Sequence, residues 1–135
     1  MSVVSTVQRG APPTVSAQTI GTKTTITALP VTVDLNIYAG DDFSFTVTVT
    51  NADGSTPNLT GQTAKAEVRV TPGDATALVT FTCTIATNVI TLTLPHTAST
   101  GLPAATVYDC QLTDSGGAIT TLIAGKITST ADVTK

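Results

Sequence analysis

The chain has 135 residues and a formal net charge of −3, and only 11% of its residues are charged against 41% hydrophobic. This length fits one domain with its own core. Six scattered Lys and Arg exclude a basic patch for nucleic acid, and the sequence has no run of 18 apolar residues that would predict a transmembrane helix. The first residues lack the pattern of a signal peptide, so we expect synthesis in a cytoplasm.

Residues 1–32 differ in composition from the rest of the chain. They contain three Pro, two Gly and many Ser and Thr, with isolated apolar residues that follow no helical period. We predict an extended N-terminal arm here, with a short strand possible at 24–29, and a β-sandwich domain over 33–135. The candidate partner contacts of the arm are its apolar residues Val15, Ile20, Ile26 and Leu29. A flexible tail is the alternative.

Seven strands are predicted after the arm, at residues 34–38, 43–50, 62–70, 77–85, 89–94, 106–113 and 118–129. The clearest is 43–50, where apolar and hydroxyl residues alternate, so that one face is dry and the other is wet. A single helical turn at 97–100, ended by Gly101, and a bulge at Gly125 interrupt the series.

Spacing and alternation together predict the fold class. Turns every 8 to 12 residues over about 100 residues are typical of a sandwich. We therefore expect an all-β fold, an immunoglobulin-like antiparallel β-sandwich of about seven strands, with a small barrel as the alternative. In the strand 62–70, Lys65, Glu67 and Arg69 should point outward. The inward set is Ala64, Ala66, Val68 and Val70.

Threonine makes up 31 of the 135 residues of the chain and is the usual residue on the wet faces. It is β-branched and favours strands. A surface of hydroxyls rather than charges is only weakly solubilising, and it suits a protein that packs against others. A stable β domain without such a role explains the composition equally well.

Residues that could carry catalysis are few. His96 is the only histidine and has no evident orienting partner in the sequence, so a surface loop is favoured for it. Glu67, between Lys65 and Arg69, is most simply part of an outward charge ladder. We expect no catalytic residue and no enzyme activity.

The sequence also predicts no metal site and no cofactor. Asp41 and Asp42 are adjacent in a turn, whereas hard cations need several spaced oxygen ligands. Cys83 and Cys110 both fall on inward faces, and we expect two buried free thiols rather than a disulfide, because cytosolic synthesis favours reduced cysteine.

Three segments resemble small proteins of tailed phages and prophages. Residues 34–43, DLNIYAGDDF, are similar to an opening DLTIYQGDxF of that family, and residues 58–69, NLTGQTAKAEVR, to its DLTGYTARAQIR strand. Residues 107–112, VYDCQL, with Gly125 and the terminal 132–134, DVT, resemble its closing YDLELT…G…EVT. The resemblance covers about residues 33–135, omits the arm, and departs at Gln62, where an aromatic residue is usual.

The resemblance implies a phage virion module with an immunoglobulin-like fold. Such modules serve as head decoration or cement proteins, as tail or baseplate components, and on fibres. We expect a capsid decoration protein on the virion surface that binds the major capsid protein or other virion proteins through its arm and sandwich, with self-association as a dimer or trimer. A tail or baseplate protein is the alternative. A carbohydrate-binding adhesin is less favoured, because aromatic residues for sugar stacking are few.

Overall fold

The computed structural model of the protein describes residues 2–9, 14–20, 30–51 and 55–133, the first two ranges as backbone strands. These residues form ten strands and one short helix. In chain order they are β1 (Ser2–Arg9), β2 (Thr14–Ile20), β3 (Val31–Thr32), β4 (Leu35–Tyr38), β5 (Phe43–Thr50), β6 (Thr63–Arg69), β7 (Val79–Ala86), β8 (Val89–Leu94), α1 (His96–Ser99), β9 (Ala105–Thr113) and β10 (Ile119–Thr130).

The strands form one curled sheet in the order β2-β1-β5-β8-β7-β6-β9-β10-β3, and β4 also pairs with β10. Strand β7 belongs to both halves of this sheet. Its first residues pair with β6, as in Phe81 with Ala66, and its later residues pair with β8, as in Cys83 with Leu92. We call the half that contains β5 and β8 sheet A, and the half that contains β6, β9 and β10 sheet B. The fold is an all-β sandwich, as predicted.

Alternation along the strands builds the core between the two sheets. In β5 every second residue from Phe43 is buried, and Phe45, Val47 and Val49 have no exposed surface. The rings of the core contact one another, with centroids of Phe45 and Tyr108 6.5 Å apart in an edge-to-face arrangement. Such aromatic pairs add stabilisation beyond the burial of their apolar area. The predicted dry face of 43–50 is therefore core.

Strand bounds agree best where alternation is strict. The bounds of β5 and β8 match the predicted 43–50 and 89–94, and the predicted helical turn is present as α1. Val70 was wrongly assigned to the inward face. It lies after the last residue of β6, where the strand phase no longer applies, and 47% of its surface is exposed.

The pairing is not wholly antiparallel as predicted, because β3 and β4 both run parallel to β10. Two residues outside the strands, Val33 and Asp34, separate β3 from β4. The Oδ1 of Asp34 accepts a hydrogen bond from the backbone N–H of Lys126 at 2.9 Å. The side chain thus supplies an acceptor where the strand is interrupted.

The bulge predicted at Gly125 lies instead at Leu122, between Thr121 and Ile123 in the register with β9. The extra residue lets Leu122 and Ile123, neighbours in sequence, both be fully buried. Gly125 has a different role. A Cβ there would overlap the carbonyl of Val33 and would lie 2.9 Å from Asp34 Oδ1, so only glycine permits this close approach.

Within the stretch predicted as an extended arm, the structure has two strands that the sequence analysis missed. Strand β1 pairs antiparallel with β5 from Ser2–Thr50 to Arg9–Phe43, and β2 pairs with β1. The final two residues of that stretch form β3, and Val31 is part of the core. The possible strand at 24–29 lies outside the described residues.

Candidate functional site

The only histidine of the chain lies next to a carboxylate that is distant in sequence. Asp42 follows the β4–β5 turn, and His96 begins α1, directly after β8. Because β5 and β8 are paired with Phe43 opposite Leu94, the ends of both strands meet. Asp42 Oδ1 accepts the backbone N–H of His96 at 2.7 Å and lies 2.9 Å from His96 Nδ1. The sequence analysis found no orienting partner for His96, and Asp42 is that partner.

Ser99 lies near Asp42 and His96, so the three residue types of a catalytic triad are present here. Its hydroxyl is not placed to act as a nucleophile. Ser99 is fully buried, and its Oγ donates to the carbonyl of Asp41 at 2.8 Å. The same oxygen accepts the backbone N–H of Gly40 at 3.1 Å. A nucleophile must be open to substrate and hydrogen-bonded to its base. The cluster instead ties α1 to the β4–β5 turn, where Gly40 has a φ of 93°.

Electrostatics at this cluster are those of an exposed pair. The backbone N–H of His96, and after it the imidazole, lower the pKa of Asp42 below its ordinary value of 3.8. Both side chains are mostly exposed, at 61% for His96 and 63% for Asp42. Exposed pairs of this kind contribute little to stability. We conclude that the cluster is structural.

Sheet B carries a charged groove on its outer face, with a volume of about 630 Å³. We define the charged groove by five side chains that line it: Asp34, Glu67, Arg69, Asp109 and Lys126. Arg69 Nη1 lies 3.4 Å from Glu67 Oε1, and Lys65 Nζ lies 3.7 Å from the same oxygen. The outward ladder predicted for Lys65, Glu67 and Arg69 is therefore present.

Asp109 lies in this groove opposite a second carboxylate. It is the register partner of Glu67 across β9 and β6, and two like charges directly opposite one another repel. Partial burial raises the pKa of Asp109, Arg69 lowers it and Glu67 raises it again, with a net rise. Paired carboxylates can serve as acid and base. Here Glu67 is paired with Lys65 and Arg69, so it is not a free acid or base.

Both cysteines are free thiols in the structure, as predicted, but the prediction that both are buried is right only for Cys110. Cys110 is buried, and Cys83 on β7 is half-buried beside it. The neighbouring Cys83 thiol and burial raise the pKa of Cys110, which keeps it protonated. A protonated buried thiol is a poor nucleophile. Across the described residues, no group of three or more His, Cys, Asp or Glu is placed to hold a metal ion.

Over β5, β8 and β7, the strands of sheet A whose side chains the structure describes, the outer face carries no charge. We call it the hydroxyl face, and its members are Ser44, Thr46, Thr48, Thr82, Thr84, Thr91 and Thr93. They form cross-strand rows, with Thr46 opposite Thr91 and Thr91 opposite Thr84. A depression of about 370 Å³ lies at the end of the face near α1, lined by Ser44, Thr82 and Thr93 and, at its border, by the carboxylate of Asp42.

Comparison with known families agrees with this architecture. Residues 30–130 match the family described as the LtfC-like, beta-sandwich domain. The chain belongs to the LtfC-like beta-sandwich domain family. This membership supports a phage β-sandwich module and leaves open which part of the particle carries it. No curated protein matches the chain.

The LtfC-like domain contains both outer faces but not the hairpin of β1 and β2. Of the arm residues predicted to contact a partner, Val15 and Ile20 lie in β2, and Ile26 and Leu29 lie outside the described residues. Their role in binding remains a prediction. No helix among the described residues has the length and apolar character needed to cross a membrane.

Proposed function

We propose that the protein is a structural component of a phage virion, a head decoration protein that binds the shell through the hydroxyl face of sheet A. The observation that carries this proposal is the uncharged, regular surface formed by three strands of an LtfC-like domain. The proposed partner is the major capsid protein or another virion protein.

Physical chemistry favours this face as the contact surface. Moving a charged side chain out of water is far more costly than moving a hydroxyl that finds a hydrogen-bond partner. Threonine also has a stiff side chain, so little conformational entropy is lost when it is fixed in an interface. A weak contact per copy is sufficient when many copies bind one particle.

We also infer that the protein acts by binding rather than by catalysis, with no need of a cofactor. The hydroxyl of Ser99 is engaged by the backbone, and the carboxylate of Glu67 is engaged by two cations. The strand order also supports an immunoglobulin-like sandwich. An immunoglobulin domain has strands B, E and D side by side in one sheet and strands C, F and G in the other. Here β5, β8 and β7 take the places of B, E and D, and β6, β9 and β10 take those of C, F and G.

A charge placed on the hydroxyl face tests the proposal. Thr91→Lys lies at the centre of the face on β8, and we expect it to abolish incorporation into particles because the added ammonium would be desolvated at the contact. Stability should change by less than about 0.5 kcal/mol, as is usual for surface substitutions. Incorporation is measured as copies per particle by quantitative mass spectrometry of purified virions.

The matched control is Thr120→Lys, an exposed threonine of β10 in sheet B, which should be incorporated normally. Equal incorporation of both variants would show that the hydroxyl face is not the contact. Many wild-type copies per particle support the head role. A few copies located at the tail tip would overturn it in favour of a tail or baseplate component.

A carbohydrate-binding adhesin is less supported by the structure. Phe43, Phe45, Phe81 and Tyr108 are all buried in the core, so they offer no exposed ring on which a sugar can stack. Glycan binding by the purified protein in an array would contradict this expectation.

A further inference from the structure

Strand β5 has an edge that another strand must cover. Its eight residues, Phe43–Thr50, include no charge, no proline and no glycine. Natural edge strands are usually blunted by such residues or by bulges, because a bare edge invites pairing with other chains. One side of β5 pairs with β8. We call the other side the acceptor edge.

Strand β1 covers the acceptor edge along its whole length. All eight residues of β1 are in register with the eight residues of β5, without a shift, from Ser2 opposite Thr50 to Arg9 opposite Phe43. The irregularity in the hairpin lies on the other side of β1, in its pairing with β2 between Val7 and Gln8. The contact between hairpin and sandwich is therefore a complete backbone ladder.

The connection to the sandwich is long. Strand β2 ends at Ile20 and β3 begins at Val31, so ten residues, 21–30, separate them. Fully extended, ten residues span roughly 35 Å, about the width of a small domain. In the order of strands, the hairpin and β3 stand at opposite ends. The family match begins at residue 30, so β5 is an end strand of the LtfC-like domain itself.

We infer that the acceptor edge of β5 receives β1 from a second copy of this chain. A swapped hairpin keeps the same register and the same backbone hydrogen bonds as the unswapped one. The two forms therefore differ little in energy per chain, and a high local concentration favours the exchanged form. The inference deepens the proposed function, since exchanged strands would link neighbouring copies on a particle.

Cysteine pairs distinguish exchange between chains from pairing within one chain. Thr6 and Thr46 are register partners, and antiparallel partners have Cα atoms about 5 Å apart, within disulfide range. Two full-length chains are co-expressed, one carrying Thr6→Cys and an affinity tag, the other carrying Thr46→Cys. After oxidation, we expect affinity purification through the tag to recover up to about half of the Thr46→Cys chain, the share given by random pairing of two chain types. The recovered chain should run as a mixed disulfide on a non-reducing gel.

The out-of-register control is Thr50→Cys with the tagged Thr6→Cys chain. Thr50 is the partner of Ser2 and lies four residues, about 13 Å, from Thr46 along the strand, so this mixture should give no mixed disulfide. A tagged wild-type chain with an untagged one controls for Cys83 and Cys110. The single-chain double variant Thr6→Cys/Thr46→Cys measures pairing within one chain.

The mixed disulfide with Thr46→Cys, and not with Thr50→Cys, supports the exchange. A disulfide found only within the double variant overturns it, as does equal cross-linking at both positions or at neither. Because no virion protein is present in this experiment, its result is independent of the particle assay. Normal incorporation without the mixed disulfide would remove this inference alone, and a mixed disulfide without incorporation would remove the proposed function alone.

Discussion

Sheet A and sheet B bury the same kind of inner face and present different outer faces. On sheet A, the positions between Phe45, Val47 and Val49 are hydroxyl residues. On sheet B, the residues of β6 that alternate with Ala66 and Val68 are charged: Lys65, Glu67 and Arg69. Asp109 of β9 lies opposite Glu67. An inner face is determined by the need to exclude water, whereas an outer face is free to be adapted to a partner or to solvent.

The difference separates two kinds of surface. The charges of sheet B are held to one another, with Glu67 between two cations, and they keep that face solvated. The hydroxyl face of sheet A has no charge that would have to be desolvated when a neighbour covers it. This difference is the reason for placing the proposed contact on sheet A rather than on sheet B.

Replacing Phe45 with Ala should have the largest effect on stability. It tests which residues of β5 face inward, and the assignment of the hydroxyl face depends on that. Phe45 is fully buried and contacts Phe43 and Tyr108. The change should lower the free energy of unfolding by about 3–5 kcal/mol, measured by urea denaturation. Thr46→Ala, one residue along, should cost less than about 0.5 kcal/mol. Equal costs would mean that the faces of β5 are assigned wrongly.

Gly125→Ala should cause the next largest loss of stability, and this substitution lies in sheet B. The new methyl group would overlap the carbonyl of Val33, and we expect a loss of about 3 kcal/mol from overpacking against backbone. Gly73→Ala is the control, since a Cβ at that position meets nothing within 4 Å. Thermal unfolding of both variants measures the difference. A harmless Gly125→Ala would show that the backbone at Val33 does not approach β10 this closely.

The smallest changes in stability should come from replacing single carboxylates, Asp109 and Asp42. At pH 7 the two replacements should change stability in opposite directions. The folded-state pKa of Asp109 is raised, so its ionisation opposes folding once the pH exceeds the unfolded value near 3.8. We expect Asp109→Asn to be slightly more stable than wild type at pH 7, with the advantage lost below pH 3.8. The denaturation midpoint at both pH values is the measurement.

Asp42 should behave in the reverse way. Its folded-state pKa is lowered, so it contributes stability above about 3.8, the unfolded value, and this contribution is lost as pH falls through the folded value. Asp42→Asn should be less stable than wild type at pH 7 and similar in strong acid. If both variants shift in the same direction, the contrast between the groove and the surface pair is wrong.

Strict alternation explains what the sequence could predict. Phe43–Thr50 and Val89–Leu94 alternate without interruption, and their strand bounds were predicted correctly. Strand β1 was missed because Val3 and Val4 are adjacent, as are Ser5 and Thr6, which breaks the period of two. The contact of Asp42 with His96 joins residues 54 apart in sequence, and no local pattern records such a pairing.

The bulge in β10 could be predicted from the sequence, but its exact position could not. The run of apolar residues from Leu122 to Ala124 signals an irregularity, but its exact residue depends on the register with β9. Gly125, the residue favoured in the sequence, is explained by the backbone of Val33 from a distant strand. The parallel pairing of β4 with β10 likewise depends on strands at the two ends of the sandwich.

That parallel pairing has a mechanical consequence. Strands β3 and β4 open the sandwich and β10 closes it, and they run side by side in the same direction. Tension applied to the two ends of the domain therefore pulls these strands lengthwise past one another, in shear. Hydrogen bonds loaded in shear resist together, whereas those of a peeled hairpin break one after another. We therefore expect the domain to resist tension between its two ends better than a sandwich whose terminal strands pair as a hairpin.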